Sequence, residues 1–479
     1  MCSSGGSYLS ARGARITGGP GTSVASKGFA MYIQDPFHSD YNPQGILNFC
    51  TSENKLCFDL LQERLTRPGM NYVESHLLQY SDTVGIKSFR EAIANFLTTY
   101  GKAAAPVNPE QIIVMNGCCS IFASLSTVLC DPGDGYLIPT PYYGSINTHI
   151  GLYGEIKPVH VPLLSEVTDG EIHPFQLTVE KLETAIQRAM EQGIRVRALI
   201  LINPHNPLGD IYPAHLLKEC LEFAHRYKLH VIMDEIYMLS VYAEDSTFTS
   251  ILALDNLPDP ERTHLMWGFS KDFAMAGIRV GTLYTKNREI FKAVSQLATF
   301  HGCPGPVQYV LSQLLSDRDW LDKEYFPTNK RRLHEAHSLL VGGLAEIGIP
   351  VLRSLGGLFV WADFRKFLTS STVEAELALW WKLIEEKLYI SPGSAFHCYE
   401  PGWFRLVFSD SKDKIKLCLQ RLQKVLERES CELLRNNMPI AFREMPLSSP
   451  EHEPMDSDTE SPHSEVTETC LLQEKIVVY

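Results

Sequence analysis

RVRALILINPHNPLG (195–209), HLLKECLEFAHRYK (215–228) and LHVIMDEIY (229–237) follow one another directly in the chain. The first and third are apolar runs rich in Leu, Ile and Val, and each stops at a turn or an acidic residue. The middle stretch has the apolar spacing of a helix. Continuous apolar runs joined by a helix predict strands buried on both faces, the pattern of a parallel sheet covered by helices. In such sheets ligands lie beyond the carboxyl ends of the strands. Asn206 and the group Asp234–Tyr237 fall at those ends.

The alternation extends to both sides. QIIVMNG (111–117) is a β-branched run ending in glycine, and SIFASLSTVLC (120–130) after it is helical. GYLIPTPYYG (135–144) and HLMWGFSKD (264–272) repeat the strand-and-turn pattern. From residue 306 the pattern changes to long helices, 319–348 and 372–388, with short strands such as GLFVWADF (357–364) and FRLVFS (404–409), which predicts a smaller α+β domain. The expected organisation is a tail at 1–28, an arm and part of the small domain at 29–75, a large domain at 76–305, the rest of the small domain at 306–443, and an acidic tail at 444–479. Both tails are rich in small or charged residues and read as disordered. Serines and threonines in the second suit phosphorylation, and Ile476–Tyr479 suits capture by a protein partner.

Composition excludes several classes. The chain has 479 residues, 44% hydrophobic and 21% charged, with a net charge of -13. That is ordinary globular composition without the basic stripe a nucleic-acid partner needs. The 12 cysteines show no metal-ligand spacing, and residues 1–19 contain no apolar signal core. Reduced cysteines and a cytoplasmic location are therefore expected. No apolar run reaches the roughly 18 residues of a membrane-spanning helix, so no membrane partner is expected.

The polar residues at the strand ends suggest one chemistry. In GFSKDFAMAGIRVG (268–281), Ser270-Lys271-Asp272 places a lysine in a loop of small residues, and Arg279 follows eight residues later. Lys271 suits a Schiff base and the transfer of a proton at a substrate Cα. Arg279 suits a dianionic phosphate, as do Cys119 and Ser120 at the start of a helix. Asp234 suits a pyridinium N–H, Tyr237 and Asn206 a phenolic oxygen, and Tyr143 the face of an aromatic ring. Arg405, inside an apolar strand, suits a substrate carboxylate. Each residue taken singly also has an ordinary structural role as cap, turn or core residue. Their occurrence together, in this order along the chain, points to a pyridoxal 5'-phosphate (PLP) site.

With those residues in place, the chain resembles the fold type I PLP enzymes of the aspartate aminotransferase superfamily, and within them the 1-aminocyclopropane-1-carboxylate (ACC) synthase-like proteins of animals. SENKLCFDLL (52–61), NPHNPLG, DEIY, SKDFAMAGIRVG, GGLFVWADFR (356–365) and ISPGSAFHCYEPGWFRLVFS (390–409) carry the resemblance, which spans about 29–430. It implies an α/β fold with a mainly parallel sheet, helices on both faces, a smaller α+β domain and a homodimer. It also implies that Glu53 lies near the substrate and that Tyr80 reaches the phosphate of the neighbouring subunit's cofactor. Ser270 belongs to the cofactor motif. Two positions depart from the pattern. Thr83 stands where plant ACC synthases carry a tyrosine, and Gly268 stands three residues before the lysine, where a serine is usual. The expected activity is Cα deprotonation of a small amino acid followed by transamination or elimination rather than ACC synthesis. The alternative is a PLP-binding scaffold with little turnover.

Overall fold

The computed structural model describes residues 8–18, 23–168 and 171–437. The acidic segment 444–479 lies outside the described residues. After a two-residue strand β1 (Leu47–Asn48), the chain supplies β2 (Ile112–Met115), β3 (Gly135–Thr140), β4 (Lys157–Pro162), β5 (Val196–Ile202), β6 (His230–Asp234), β7 (Thr263–Gly268) and β8 (Gly281–Thr285). The last seven form one sheet in the order β2-β8-β7-β6-β5-β3-β4. Every pairing is parallel except the two made by β8, which runs antiparallel to β2 and β7.

The pleat explains why the central runs, such as residues 198–202 and 231–233, are continuously apolar. Leu199 and Leu201 enter one core with Leu182 and Phe223, whereas Ile200 and Ile202 enter another with Ile121, Leu125 and Val294. Successive side chains alternate between the faces, and helices cover both. The fold is thus α/β with a mainly parallel sheet.

Four further strands complete the structure: β9 (Phe359–Asp363), β10 (Leu388–Tyr389), β11 (Ser391–Pro392) and β12 (Trp403–Val407). β11, β12 and β9 form a small antiparallel sheet, and β1 pairs in parallel with β10. Ile46, Leu47 and Phe49 share a third core with Leu333, Leu340, Val360, Phe404 and Leu406. Residues near both ends of the chain therefore build the smaller unit.

Two details differ from the sequence reading. The helix Gly305–Ser316, which the pattern assigned to the smaller unit, buries Leu311, Leu314 and Leu315 in the main core. Its apolar stripe fits against the helix Lys87–Tyr100, so the change of core falls later, near Leu333. Residues 1–28 read as disordered, yet the helices Ala11–Thr17 and Val24–Gln34 form there. Ser10 and Ser23 cap them by accepting from the amides of Gly13 and Ser26. Side-chain caps of this kind offset the low apolar content of such segments.

A glycine seam joins the helix Cys118–Leu129 to the β7–β8 pair. Gly117 has φ +113°, a conformation that other L residues rarely adopt, and caps the helix. A Cβ on Gly281 would lie 2.5 Å from the Cys118 nitrogen and 2.6 Å from the Gly117 carbonyl carbon. Gly281→Ala is expected to destabilise the fold by about 1–3 kcal/mol through this backbone overlap. Gly277→Ala, where a Cβ meets nothing within 4 Å, is expected to leave the urea midpoint unchanged. Equal midpoints for the two variants would mean that the seam is not tight.

Candidate active site

The carboxyl ends of β5, β6 and β7, the start of the helix Cys118–Leu129 and strand β12 converge on one region. Lys271 lies in the single helical turn Phe269–Asp272 after β7. Its Nζ donates to the Ser52 carbonyl at 2.5 Å and lies 5.9 Å from the centre of the Tyr237 ring. Burial and the neighbouring Arg405 push this amine down to about 8, against the opposing pull of Glu53, Cys119 and Asp234. Ser270 beside it is half-buried.

Asp234 ends β6 and is buried; one of its oxygens accepts from the Ile236 amide at 3.2 Å. Burial pushes it up to about 6, with the Ile236 amide and Lys271 acting in the other direction. Tyr237, three residues on, is buried, and its hydroxyl lies 3.0 Å from Ser52 Oγ. Burial raises the pKa of this phenol above its ordinary value, which keeps it protonated as a donor.

Arg405 projects from β12 with 4% of its surface exposed. One guanidinium nitrogen donates to Asn206 Oδ1 at 2.8 Å and the other to the Cys50 carbonyl at 2.6 Å. The group lies 5.0 Å from the Phe359 ring centre and 4.6 Å from that of Phe396. Its Nε is buried without a partner. A buried cation held only by neutral oxygens and ring faces lacks an anion. Because Asn206 accepts from Arg405 through its oxygen, its amide nitrogen remains the donor.

At the helix start, a Cβ on Gly117 would lie 2.5 Å from an Arg279 guanidinium nitrogen. Only bare backbone fits beside that group. Arg279 itself is exposed, with φ +54°, and also donates to the Ala276 carbonyl at 3.0 Å. Cys119 and Ser120 are half-buried in the first turn of the helix, and the Ser120 hydroxyl donates to Asn116 Oδ1. Burial, opposed by Arg279, raises the Cys119 thiol above its ordinary value. Tyr143 follows β3 and keeps about a third (36%) of its surface exposed, while burial raises its phenol.

Two expected residues are exposed on this chain. Glu53 is exposed, although close enough to Lys271 to favour the protonated amine. Tyr80 is fully exposed, and Thr83 near it is also exposed. The sequence reading missed Ser52, which touches both Lys271 and Tyr237, and it also missed the Phe359–Phe396 sandwich around Arg405. Ser52 acts largely through its main-chain carbonyl, which leaves no mark in side-chain identity. The absence of a serine at 268 is built into the packing. A Cβ there would lie 2.7 Å from the Val280 carbonyl oxygen and 3.3 Å from Cys118 Sγ.

The residues present fit PLP. The unpartnered Arg405 Nε and the guanidinium against the bare helix start are cation sites without anions. Asp234 and Lys271 supply a buried acid and a deprotonatable amine between them. No group of three or more metal-ligating side chains occurs among the described residues, and none of their helices is long and apolar enough to cross a membrane.

Comparison with known proteins identifies the family. The model of the family Aminotransferase class I and II matches residues 45–422. The 1-aminocyclopropane-1-carboxylate synthase-like protein 1 of Bos taurus is 51% identical over 88% of this chain and 83% of its own length. The probable inactive 1-aminocyclopropane-1-carboxylate synthase-like protein 2 of Homo sapiens is 47% identical over 87% of this chain and 73% of its own. Among solved structures, an aromatic aminotransferase from Pyrococcus horikoshii superposes with a TM-score of 0.66 at 25% identity, covering 80% of this chain and 96% of that one.

The depressed amine gives a direct test. When the apo-chain is mixed with PLP and trapped with borohydride, labelling is expected at Lys271, because only the neutral amine attacks the aldehyde. The initial rate should rise with pH through about 8 and level off above it. A rate that keeps climbing to about pH 10 would indicate an ordinary lysine at this position.

Proposed function

The chain belongs to the aminotransferase class I and II family, and from that premise we propose that it is a PLP-dependent enzyme that removes the Cα proton of a small amino acid. The observation that carries this reading is the convergence of Lys271, Asp234, Tyr237, Asn206 and Arg405 in one buried region, with Arg279 at its rim. PLP, when bound, supplies an electron-withdrawing ring that takes up the electron pair released at Cα.

Lys271 would hold the cofactor and then carry the proton at the substrate Cα. An amine near pH 8 is a base that keeps a usable neutral fraction at neutral pH. Asp234 would face the ring nitrogen. A pyridinium N–H there restores the charge that burial alone disfavours, so the carboxylate stays ionised. Tyr237 and the Asn206 amide would donate to the phenolic oxygen, Tyr143 would cover the ring, and Arg279 with Ser120, Cys119 and the helix amides would hold the phosphate. Arg405 would bind the substrate carboxylate and fill the anion position that its surroundings leave open.

Transamination or elimination on this scaffold accords better with Thr83 than ring closure to ACC does. In a homodimer, the fully exposed Tyr80 would reach the phosphate bound by the other subunit. Gly268 favours a second reading, a cofactor-bearing scaffold with little turnover, because the packing there leaves no room for a phosphate-binding hydroxyl.

Visible spectra decide between the two. The purified chain is expected to carry a cofactor band that shifts with one member of an amino-acid panel including S-adenosylmethionine. Lys271→Ala should abolish turnover. Arg405→Lys should weaken amino-acid binding roughly 10- to 100-fold, the loss expected for charge-assisted hydrogen bonds. A band indifferent to every amino acid would favour the scaffold, and no band at all would remove the proposal.

A further inference from the structure

A hydrogen-bonded network ties the turn before β12 to the end of β3. Asn147 is its hub. Its Oδ1 accepts from the hydroxyls of Tyr136 at 2.7 Å and Tyr142 at 2.5 Å, and its Nδ2 lies 2.8 Å from His397 Nε2. The amide nitrogen can only donate, so His397 Nε2 accepts and the ring is neutral. The Tyr142 hydroxyl has spent its proton on Asn147, so it accepts from His160 Nε2 at 3.1 Å. His160 Nδ1 then accepts from the Tyr399 hydroxyl at 3.2 Å. The geometry therefore assigns each imidazole one tautomer, and neither ring has room for a second proton.

The same contact is close at the backbone. The Tyr142 amide donates to the Phe396 carbonyl at 2.9 Å, and a Cβ on Gly144 would lie 2.1 Å from the Ala395 oxygen. The His397 ring stacks on Tyr142 with centres 5.0 Å apart. Phe396, next in the chain, packs its ring against the Arg405 guanidinium, and Tyr143 is next to Tyr142 on the other side.

We propose that His397 is a positioning residue: as a neutral acceptor for Asn147 it latches the 393–397 turn onto the large unit, and so holds Arg405 and Tyr143 in one fixed relation. This deepens the proposed function, since the value of that relation rests on Arg405 binding a substrate carboxylate. Protonation of His397 would remove the acceptor and release the turn. Burial already lowers this imidazole below its ordinary value, in keeping with a neutral ring. The other groups facing the turn are Tyr136, Tyr142 and His160 from the main sheet, and Tyr399, Cys398 and Glu400 beside it. Glu376 accepts from the amides of Ser394 and Gly402, and Arg365 lies 3.8 Å from Glu400. Glu376 is raised by burial and also responds to acid, so the test must isolate His397.

Hydrogen exchange of the PLP-loaded full chain, read in peptides covering 140–147 and 393–405 and corrected for intrinsic rates, isolates it. His397→Gln keeps an acceptor at similar reach but does not titrate. It should match wild type at pH 7. His397→Ala should exchange roughly three- to tenfold faster in both segments at that pH, the loss of one hydrogen bond. In turnover the alanine variant should raise KM for the amino acid more than it lowers kcat, and glutamine should rescue it. Full protection in His397→Ala would overturn the proposal, as would exchange in His397→Gln as fast as in the alanine variant. If the alanine variant does not fold, His397→Phe, which keeps a ring against Tyr142 without the acceptor, takes its place in the comparison. Exchange needs no turnover, so an enzyme inert to amino acids would remove the role given to Arg405 while the latch itself is still read.

Discussion

A guanidinium buried without a carboxylate partner holds the molecule together. Arg405 binds the Cys50 carbonyl from the first part of the chain and the Asn206 amide from the loop after β5, while itself sitting on β12. Taking a charge out of water costs several kcal/mol unless it is well surrounded. Here the compensation comes from two carbonyl dipoles and two aromatic faces. That arrangement is adequate for a resting state and better for one with an anion added. The small sheet, the arm and the large sheet must all be in register for it to exist. The site is therefore a consequence of how the two units meet and belongs to neither of them alone.

Around it, the electrostatics divide into groups that face the site and groups that support it. Asp234 faces inward with one local bond, from the Ile236 amide at 3.2 Å. Glu235, its neighbour, points into the core, where it accepts from Ser250 Oγ at 2.6 Å and the Ile251 amide at 2.7 Å. Asp272, beside the lysine, accepts from Trp267 Nε1 and Ser240 Oγ, and thereby fixes the short turn that carries Lys271. Burial pushes all three carboxyls up, to about 6, 8 and 7 for Asp234, Glu235 and Asp272. Of the three, only Asp234 has an oxygen left for a partner from outside.

Much of this was legible in the sequence where a side chain alone reports its surroundings. The stretches 198–202 of β5 and 231–233 of β6 are continuously apolar because both faces are covered, and Asp234 stood out by ending one of them. Lys271, Arg279 and Arg405 were legible because charge among small or apolar residues needs a reason. The direction of β8 was not, since GTLYT reads alike either way round. Nor were β1, β10 and β11, whose two-residue lengths carry no period. Ser52 escaped notice because its bond to Lys271 is made by the main-chain carbonyl, although its hydroxyl also meets Tyr237. The helix Gly305–Ser316 was misassigned because an amphipathic stripe tells that a helix packs, but not on which core.

The bond between Arg405 and the Cys50 carbonyl joins positions 355 residues apart in the chain, and the Lys55–Asp410 pair spans the same interval. During synthesis, the large sheet with Asp234 and Lys271 leaves the ribosome well before β12. For that interval a nascent chain has the lysine and its acid but not the guanidinium. Contacts so distant in sequence close a long loop before they return any free energy, which slows the final docking. The guanidinium side of the site is therefore the last part to mature, and an incomplete chain that has Lys271 and Asp234 still lacks Arg405.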